Sequence, residues 1–318
     1  MSLSGTKEVR AAGVSARPAV FVDGGSGTTG LGINERLRLQ NDVVVKTIAD
    51  DERKNPAAKK ALMAEVDLVI LCLPDDAAKE TVALIDSMGS ARPKVLDAST
   101  AFRVASDWTY GFPELAPDQA DKIRTARKVS NPGCYPTGAI ALLRPLVDAS
   151  LLPADYPVTV NAVSGYSGGG KSMIASFENG SAPSFELYGL GFEHKHLPEM
   201  QLYSKLARRP IFIPSVGNFR QGMLVSVPLH LDTLAGKPSA ADLHAILVAH
   251  YAGKTLVKVL PTDGSTKLEA EALNDTDMLE LRVFAHEGHR QAVLVARLDN
   301  LGKGASGAAV HNIQLMLG

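Results

Sequence analysis

Cysteine is scarce in this chain: only Cys72 and Cys134 occur in 318 residues. Two thiols so far apart build neither a disulfide framework nor a zinc-ligand spacing, which points to a reducing compartment. Net charge is nearly absent, with 33 Lys and Arg against 34 Asp and Glu. That balance argues against nucleic acid or an anionic membrane surface as a partner. No apolar run reaches membrane-spanning length, the longest lying at residues 66–73. The N-terminal stretch carries Lys7, Glu8, Arg10 and Arg17 without an apolar h-region, so it reads as a tail and not a secretory signal. What is present is ordinary globular composition, 45% apolar and 21% charged, in a chain long enough for two domains or one large one.

One of the two cysteines sits in an unusual setting. Ser130-Asn131-Pro132-Gly133-Cys134-Tyr135-Pro136-Thr137 separates an apolar strand pattern from an apolar helix pattern. Pro132 and Gly133 allow a sharp turn, and the helix opens just beyond the thiol. Unpaired N–H groups and the positive end of the dipole would stabilise a thiolate there. The same groups would hold an oxyanion on a carbonyl attacked by the sulfur. A small buried cysteine in a turn is the plainer alternative.

Ahead of it, Ala19-Val20-Phe21-Val22-Asp23 is a β-rich run that leads into Gly25, Ser26, Gly27, Thr28, Thr29 and Gly30. The glycines match G-x-G-x-x-G between a strand and a helix, where a pyrophosphate rests on helix-start N–H groups. A second strand over 42–48 ends in a charged turn that holds both acids and Arg53 and Lys54. An acid there suits a free ribose hydroxyl and an arginine a 2′-phosphate; the two cations favour NADP. Residues 66–74 form a continuous apolar strand containing Cys72, as filler, and ending at Pro74. A helix over 75–89 and a strand over 94–99 complete a doubly wound parallel sheet. Ser99, Arg103 and Cys134 all fall beyond its strand ends, where ligands of such sheets gather.

The second half predicts an α+β domain with a largely antiparallel sheet, from strands at 157–164, 210–214, 223–230, 278–284 and 291–299. A helix is expected over 240–251 and another over 305–317, packing back on the first domain. The boundary falls at 133/134, giving a cofactor domain 1–133 and a substrate and oligomerisation domain 134–302, with helix 303–318 returning to the first. Two motifs compete for function here. Gly165-Tyr166-Ser167-Gly168-Gly169-Gly170-Lys171-Ser172 fits the phosphate-binding P-loop of a kinase. Against that, the run 293–299 is interrupted by Arg297 before its Asp299, and a dinucleotide loop is already present. A glycine-rich loop bringing Lys171 to an anionic substrate is the alternative. His194-Lys195-His196 has metal-like spacing, yet no third His/Cys ligand cluster accompanies it, so no metal is assigned. An acid/base role falls to His196, beside the positive end of a helix that would keep it neutral, with His194 as a substrate contact.

Six segments together resemble the short form of the N-acetyl-gamma-glutamyl-phosphate reductase family: SNPGCYPT (130–137), DASTAFR (97–103), YGFPEL (110–115), SGYSGGGK (164–171), HKHLPE (194–199) and DNLGKGASGAAVHN (299–312). Aspartate-semialdehyde dehydrogenase is the related alternative, and a non-catalytic NADP-sensing protein the one outside enzymes. The resemblance implies a Rossmann-type sheet and NADP(H). It also implies a small-molecule substrate with inorganic phosphate, and a cytoplasmic homo-oligomer, a dimer or tetramer. Cys134 and His196 are then the catalytic pair. Ser99, Arg103, Asn131, Ser167, Lys171, His194 and Arg220 are substrate candidates. The cofactor candidates are Gly25 through Gly30, Arg53, Lys54, Pro74, Gly168 and Asn300.

Overall fold

The computed structural model describes residues 17–49, 51–53, 55–262 and 264–318. The N-terminal tail and Lys54 lie outside the described residues. The first unit runs β1 (Ala19–Asp23), α1 (Thr28–Gln40), β2 (Val44–Lys46), α2 (Pro56–Met63), β3 (Leu68–Leu71) and α3 (Asp75–Asp86). It continues through β4 (Lys94–Asp97), β5 (Thr109–Tyr110), α4 (Gln119–Thr125) and β6 (Lys128–Ser130). Its strands form one parallel sheet in the order β2-β1-β3-β4-β6-β5. All four residues of β3 are buried, as a strand covered by helices on both faces demands. The chain order reverses between β1 and β3, which opens a crevice at their carboxyl ends.

The second unit holds α5 (Cys134–Asp148), β7 (Thr159–Gly165), α6 (Gly170–Glu178), β8 (Phe185–Leu187), α7 (Leu197–Tyr203) and β9 (Ile211–Gly217). Then come β10 (Met223–His230), α8 (Ala240–His250), β11 (Val257–Val259), β12 (Leu279–His286), β13 (Gln291–Leu298) and α9 (Gly307–Leu317). The sheet order is β11-β12-β13-β10-β7-β9-β8. Four of its six pairings are antiparallel; β7–β9 and β11–β12 are parallel, so the sheet is mixed. Strands β10 and β13 alternate buried and less buried residues, and their buried face packs on α5 and α8. Helix α5 lies so close to β10 that a Cβ on Gly138 would stand 2.8 Å from Val225.

Helix α9 returns to the first unit, where Ala309, Val310, Ile313 and Met316 share a core with Val20, Ile33 and Ile70. Among the described residues no helix is long and apolar enough to cross a membrane.

Candidate active site

Strand β6 ends at Ser130, and Asn131-Pro132-Gly133 turn the chain into α5 with Cys134 as its first residue. Gly133 is the N-cap, in extended backbone, and no side chain caps the helix. Those N–H groups are left for the sulfur or a bound oxyanion. The thiolate expected at rest does not follow. Burial pushes the Cys134 thiol up to about 11, while the Tyr135 amide and Arg103 pull the other way. Desolvation outweighs the helix end, so the resting group is the neutral thiol.

Three polar groups converge on Gly133. A Cβ there would lie 2.6 Å from Arg103 Nη1, 2.7 Å from Glu199 Oε1 and 2.8 Å from His196 Nε2. Only glycine admits that approach. Arg103 and Glu199 form a buried ion pair at 2.6 Å. Glu199 also accepts from the Tyr110 hydroxyl at 2.8 Å and the Gly133 N–H at 3.1 Å. Arg103 Nε donates to the Asn131 carbonyl at 3.0 Å, so the guanidinium is held by the turn that leads into Cys134. Glu199 and Tyr110 carry no local sequence pattern that marks them as site residues. Their presence inside HKHLPE and YGFPEL was the signal available.

Helix α7 begins at Leu197, one residue earlier than Pro198 suggested, and His196 is its N-cap. Burial first, then Arg103, His194 and Lys195, hold His196 well below the usual imidazole range. Burial and Lys195 lower His194 to about 4. Both imidazoles are therefore neutral near pH 7, as a proton acceptor must be. His194 Nδ1 accepts the His196 N–H at 3.1 Å, with the rings 4.7 Å apart.

A cavity of about 330 Å³ joins Cys134, His194, His196, Arg103 and Asn131 to Ser167, Gly168 and Asn300. Asn300 fixes the far wall: it donates to Ser167 Oγ at 2.9 Å and accepts the Gly222 N–H at 2.8 Å. The P-loop-like stretch is thereby a wall of the thiol cavity. Thr28 and Thr29 line this cavity and an adjoining one of about 360 Å³, which reaches Gly27, Gly30, Pro74, Ser99 and Lys171. Ser99 is turned away towards Asp97, to which it donates at 2.7 Å. A third, outer cavity of about 990 Å³ takes in Gly25, Ser26, Arg38 and Arg53. Arg220 is not brought to any of these. Its guanidinium is on the surface, 3.0 Å from Glu178, and only its carbonyl serves the site, accepting the Ser167 N–H at 3.0 Å.

The glycine loop fits a dinucleotide. Gly24 has φ +83°, and a Cβ on it would lie 2.3 Å from the Cys72 carbonyl; one on Gly30 would meet the Gly24 carbonyl at 2.6 Å. The loop therefore folds tightly onto itself, and α1 starts behind Gly27 with no side-chain cap and no acid in its first turn. Its N–H groups face the crevice as a phosphate seat.

A parallel dinucleotide sheet joined by a cysteine turn to a mixed second sheet defines the semialdehyde dehydrogenase class of oxidoreductase. Residues 40–123 match the family model "Semialdehyde dehydrogenase, NAD binding domain", and residues 134–300 match "Semialdehyde dehydrogenase, dimerisation domain". Within that class the chain belongs to the N-acetyl-gamma-glutamyl-phosphate reductase family. It is 55% identical over 310 residues to proteins of that name from Brucella ovis and Brucella abortus, covering 95% of this chain and 99% of each relative. Aspartate semialdehyde dehydrogenase II of Vibrio cholerae, crystallised in complex with ASA, shares the fold at a TM-score of 0.70 and 16% identity. The superposition covers 95% of this chain and 98% of that one.

Proposed function

We propose that the chain reduces N-acetyl-L-glutamyl 5-phosphate to N-acetyl-L-glutamate 5-semialdehyde with NADPH, reversibly and phosphate-dependently, through a thioester on Cys134. The names of the Brucella relatives support this, and one local observation carries it. Among the described residues, none that lines the Cys134 cavity is an aspartate or glutamate, whereas Arg103 and Lys195 both do. A substrate with a free α-ammonium, such as aspartate semialdehyde, would find no counter-ion there. Glu199, just beneath, is committed to Arg103, Tyr110 and the Gly133 amide. An N-acetylated substrate presents a neutral amide that needs no counter-ion, and its anionic carboxylate and phosphate suit Lys195, Arg103 being paired with Glu199.

In the forward direction neutral His196 takes the Cys134 proton, and the sulfur attacks the acyl-phosphate carbonyl. The carbonyl oxygen is stabilised by the N–H groups that open α5. Phosphate departs with the proton, leaving the thioester. NADPH, which the glycine loop Gly25–Gly30 would hold, would supply a hydride for that carbonyl. His196, protonated again from solvent, gives its proton to the thiohemiacetal oxygen, then takes it back and returns it to sulfur as the aldehyde leaves. Arg38 and Arg53 line the outer cavity, where Lys46 is paired with Glu65 and Lys59 with Asp23, and the two guanidiniums favour the 2′-phosphate of NADP over NAD. The reading includes a cytoplasmic homo-oligomer assembled through residues 134–300.

Cys134→Ser tests the covalent step. An alkoxide is far harder to form than a thiolate, so turnover is lost while NADPH still binds in a fluorescence titration. Substantial activity in that variant would end the thioester route. Cys72→Ser alters only stability, since Cys72 is a half-buried thiol whose pKa burial pushes up to about 12.

A further inference from the structure

Between β13 and α9 the chain makes a π-helical turn, Gly302–Ser306. It is wedged against the nucleophile. A Cβ on Gly304 would lie 2.9 Å from Cys134 Cβ, and one on Gly302 only 2.0 Å from the Thr276 carbonyl. Leu301, Gly304 and Ala305 face the cavity. Lys303, on the same turn, is buried instead against Phe112, its ammonium 5.6 Å from the ring centre. Its Nζ is 2.7 Å from Glu114 Oε1, with both side chains almost wholly buried. The second oxygen of Glu114 has no hydrogen-bond partner among the described residues. A buried ion pair with an unmet acceptor contributes little net stability compared with apolar residues of the same volume. Its value to the molecule has to lie elsewhere.

Its neighbours suggest where. Segment 110–114 grips both sides of Cys134: Tyr110 holds Glu199, which binds the Gly133 N–H, and Glu114 holds the turn through Lys303. The Gly111 carbonyl accepts from Asn312 on α9 at 2.8 Å, and Asn131 donates to the Ala305 carbonyl at 3.1 Å. We infer that Lys303 and Glu114 are a positioning pair, which presses the Gly302–Ser306 turn onto Cys134 and so fixes the direction in which the sulfur meets its carbonyl. The pair acts on rate through the turn and not on substrate binding. This rests on Cys134 as nucleophile, as proposed above, and holds whichever acyl phosphate is used.

The test compares Lys303→Met, Glu114→Gln and the double variant Lys303→Met/Glu114→Met. Turnover, melting temperature and iodoacetamide alkylation of Cys134, followed by peptide mass, are measured on each. In Lys303→Met kcat falls roughly tenfold to a hundredfold, because a displacement of about 1 Å is that costly, while KM stays within about threefold. Alkylation of Cys134 changes rate as well. Glu114→Gln, which keeps an acceptor for the ammonium, retains most of the wild-type kcat. The double variant regains melting temperature but not turnover. Wild-type kcat per folded molecule and wild-type alkylation in Lys303→Met would overturn the inference, leaving the pair merely structural. Should Lys303→Met not fold, the same two outcomes are read from the double variant. Alkylation needs no substrate, so a wrong substrate assignment leaves that readout intact.

Discussion

An arginine, a glutamate and a histidine together leave no room for a side chain at Gly133, and Cys134, the proposed nucleophile, is the next residue. At this scale the chemistry is set by desolvation. It keeps the Cys134 thiol protonated and His196 neutral, so in the proposed reaction the proton moves only once substrate is bound. His196→Asn then costs on the order of a hundredfold in kcat and removes the acid limb of the pH–rate profile. His194→Asn, which loses an orienting contact to the His196 amide, costs less and keeps that limb; a larger loss at His194 would reverse the assignment. Cys134 was legible in the sequence because a Pro-Gly turn and a helix start are local signals. The Arg103–Glu199 pair was not, since its partners are 96 residues apart and no local pattern joins them. Nor was the neutral thiol, because burial is a property of the packed molecule. Arg220 misled for a similar reason: its backbone serves the site while its side chain points to Glu178.

At the scale of elements, the uncapped start of α1 and its glycine loop form the proposed phosphate seat, and Arg38 and Arg53 near β2 border the proposed nucleotide crevice. Replacing Arg38 and Arg53 together by alanine weakens NADPH about tenfold or more, as the loss of charge-assisted hydrogen bonds implies, and leaves NADH nearly unchanged. Equal weakening of both in parallel binding titrations would place the two arginines outside the 2′-phosphate site. Strands with a full alternating or wholly apolar pattern were readable from sequence, and β1 and β10 fall on the expected residues. Strands β5, β8 and β11, of two or three residues, carry too little pattern to be seen. The parallel β7–β9 pairing was hidden too, because pairing direction is set by the crossover and not by composition.

Across the whole molecule, the two imidazoles, His196 buried and His194 half-buried, couple the site to stability. In the unfolded chain they titrate near 6.5; folded, His194 sits at about 4 and His196 well below its usual value. Below pH 6.5 the unfolded chain takes up protons that the fold refuses, so this contribution is full above 6.5 and is lost as pH falls towards about 4. Thermal melts across that range show a falling melting temperature, and His194→Asn flattens part of the slope. An unchanged slope in that variant would mean that other groups drive the acid loss. In the proposed reaction a cavity without carboxylates takes an N-acylated substrate to a Cys134 thioester. That reaction is tested most directly by phosphate-dependent NADP⁺ reduction with N-acetylglutamate semialdehyde and aspartate semialdehyde side by side. The account predicts that kcat/KM for the acetylated aldehyde exceeds the other by roughly a hundredfold or more, the discrimination expected when a charged group is left unpaired. Equal or greater efficiency with aspartate semialdehyde would contradict it.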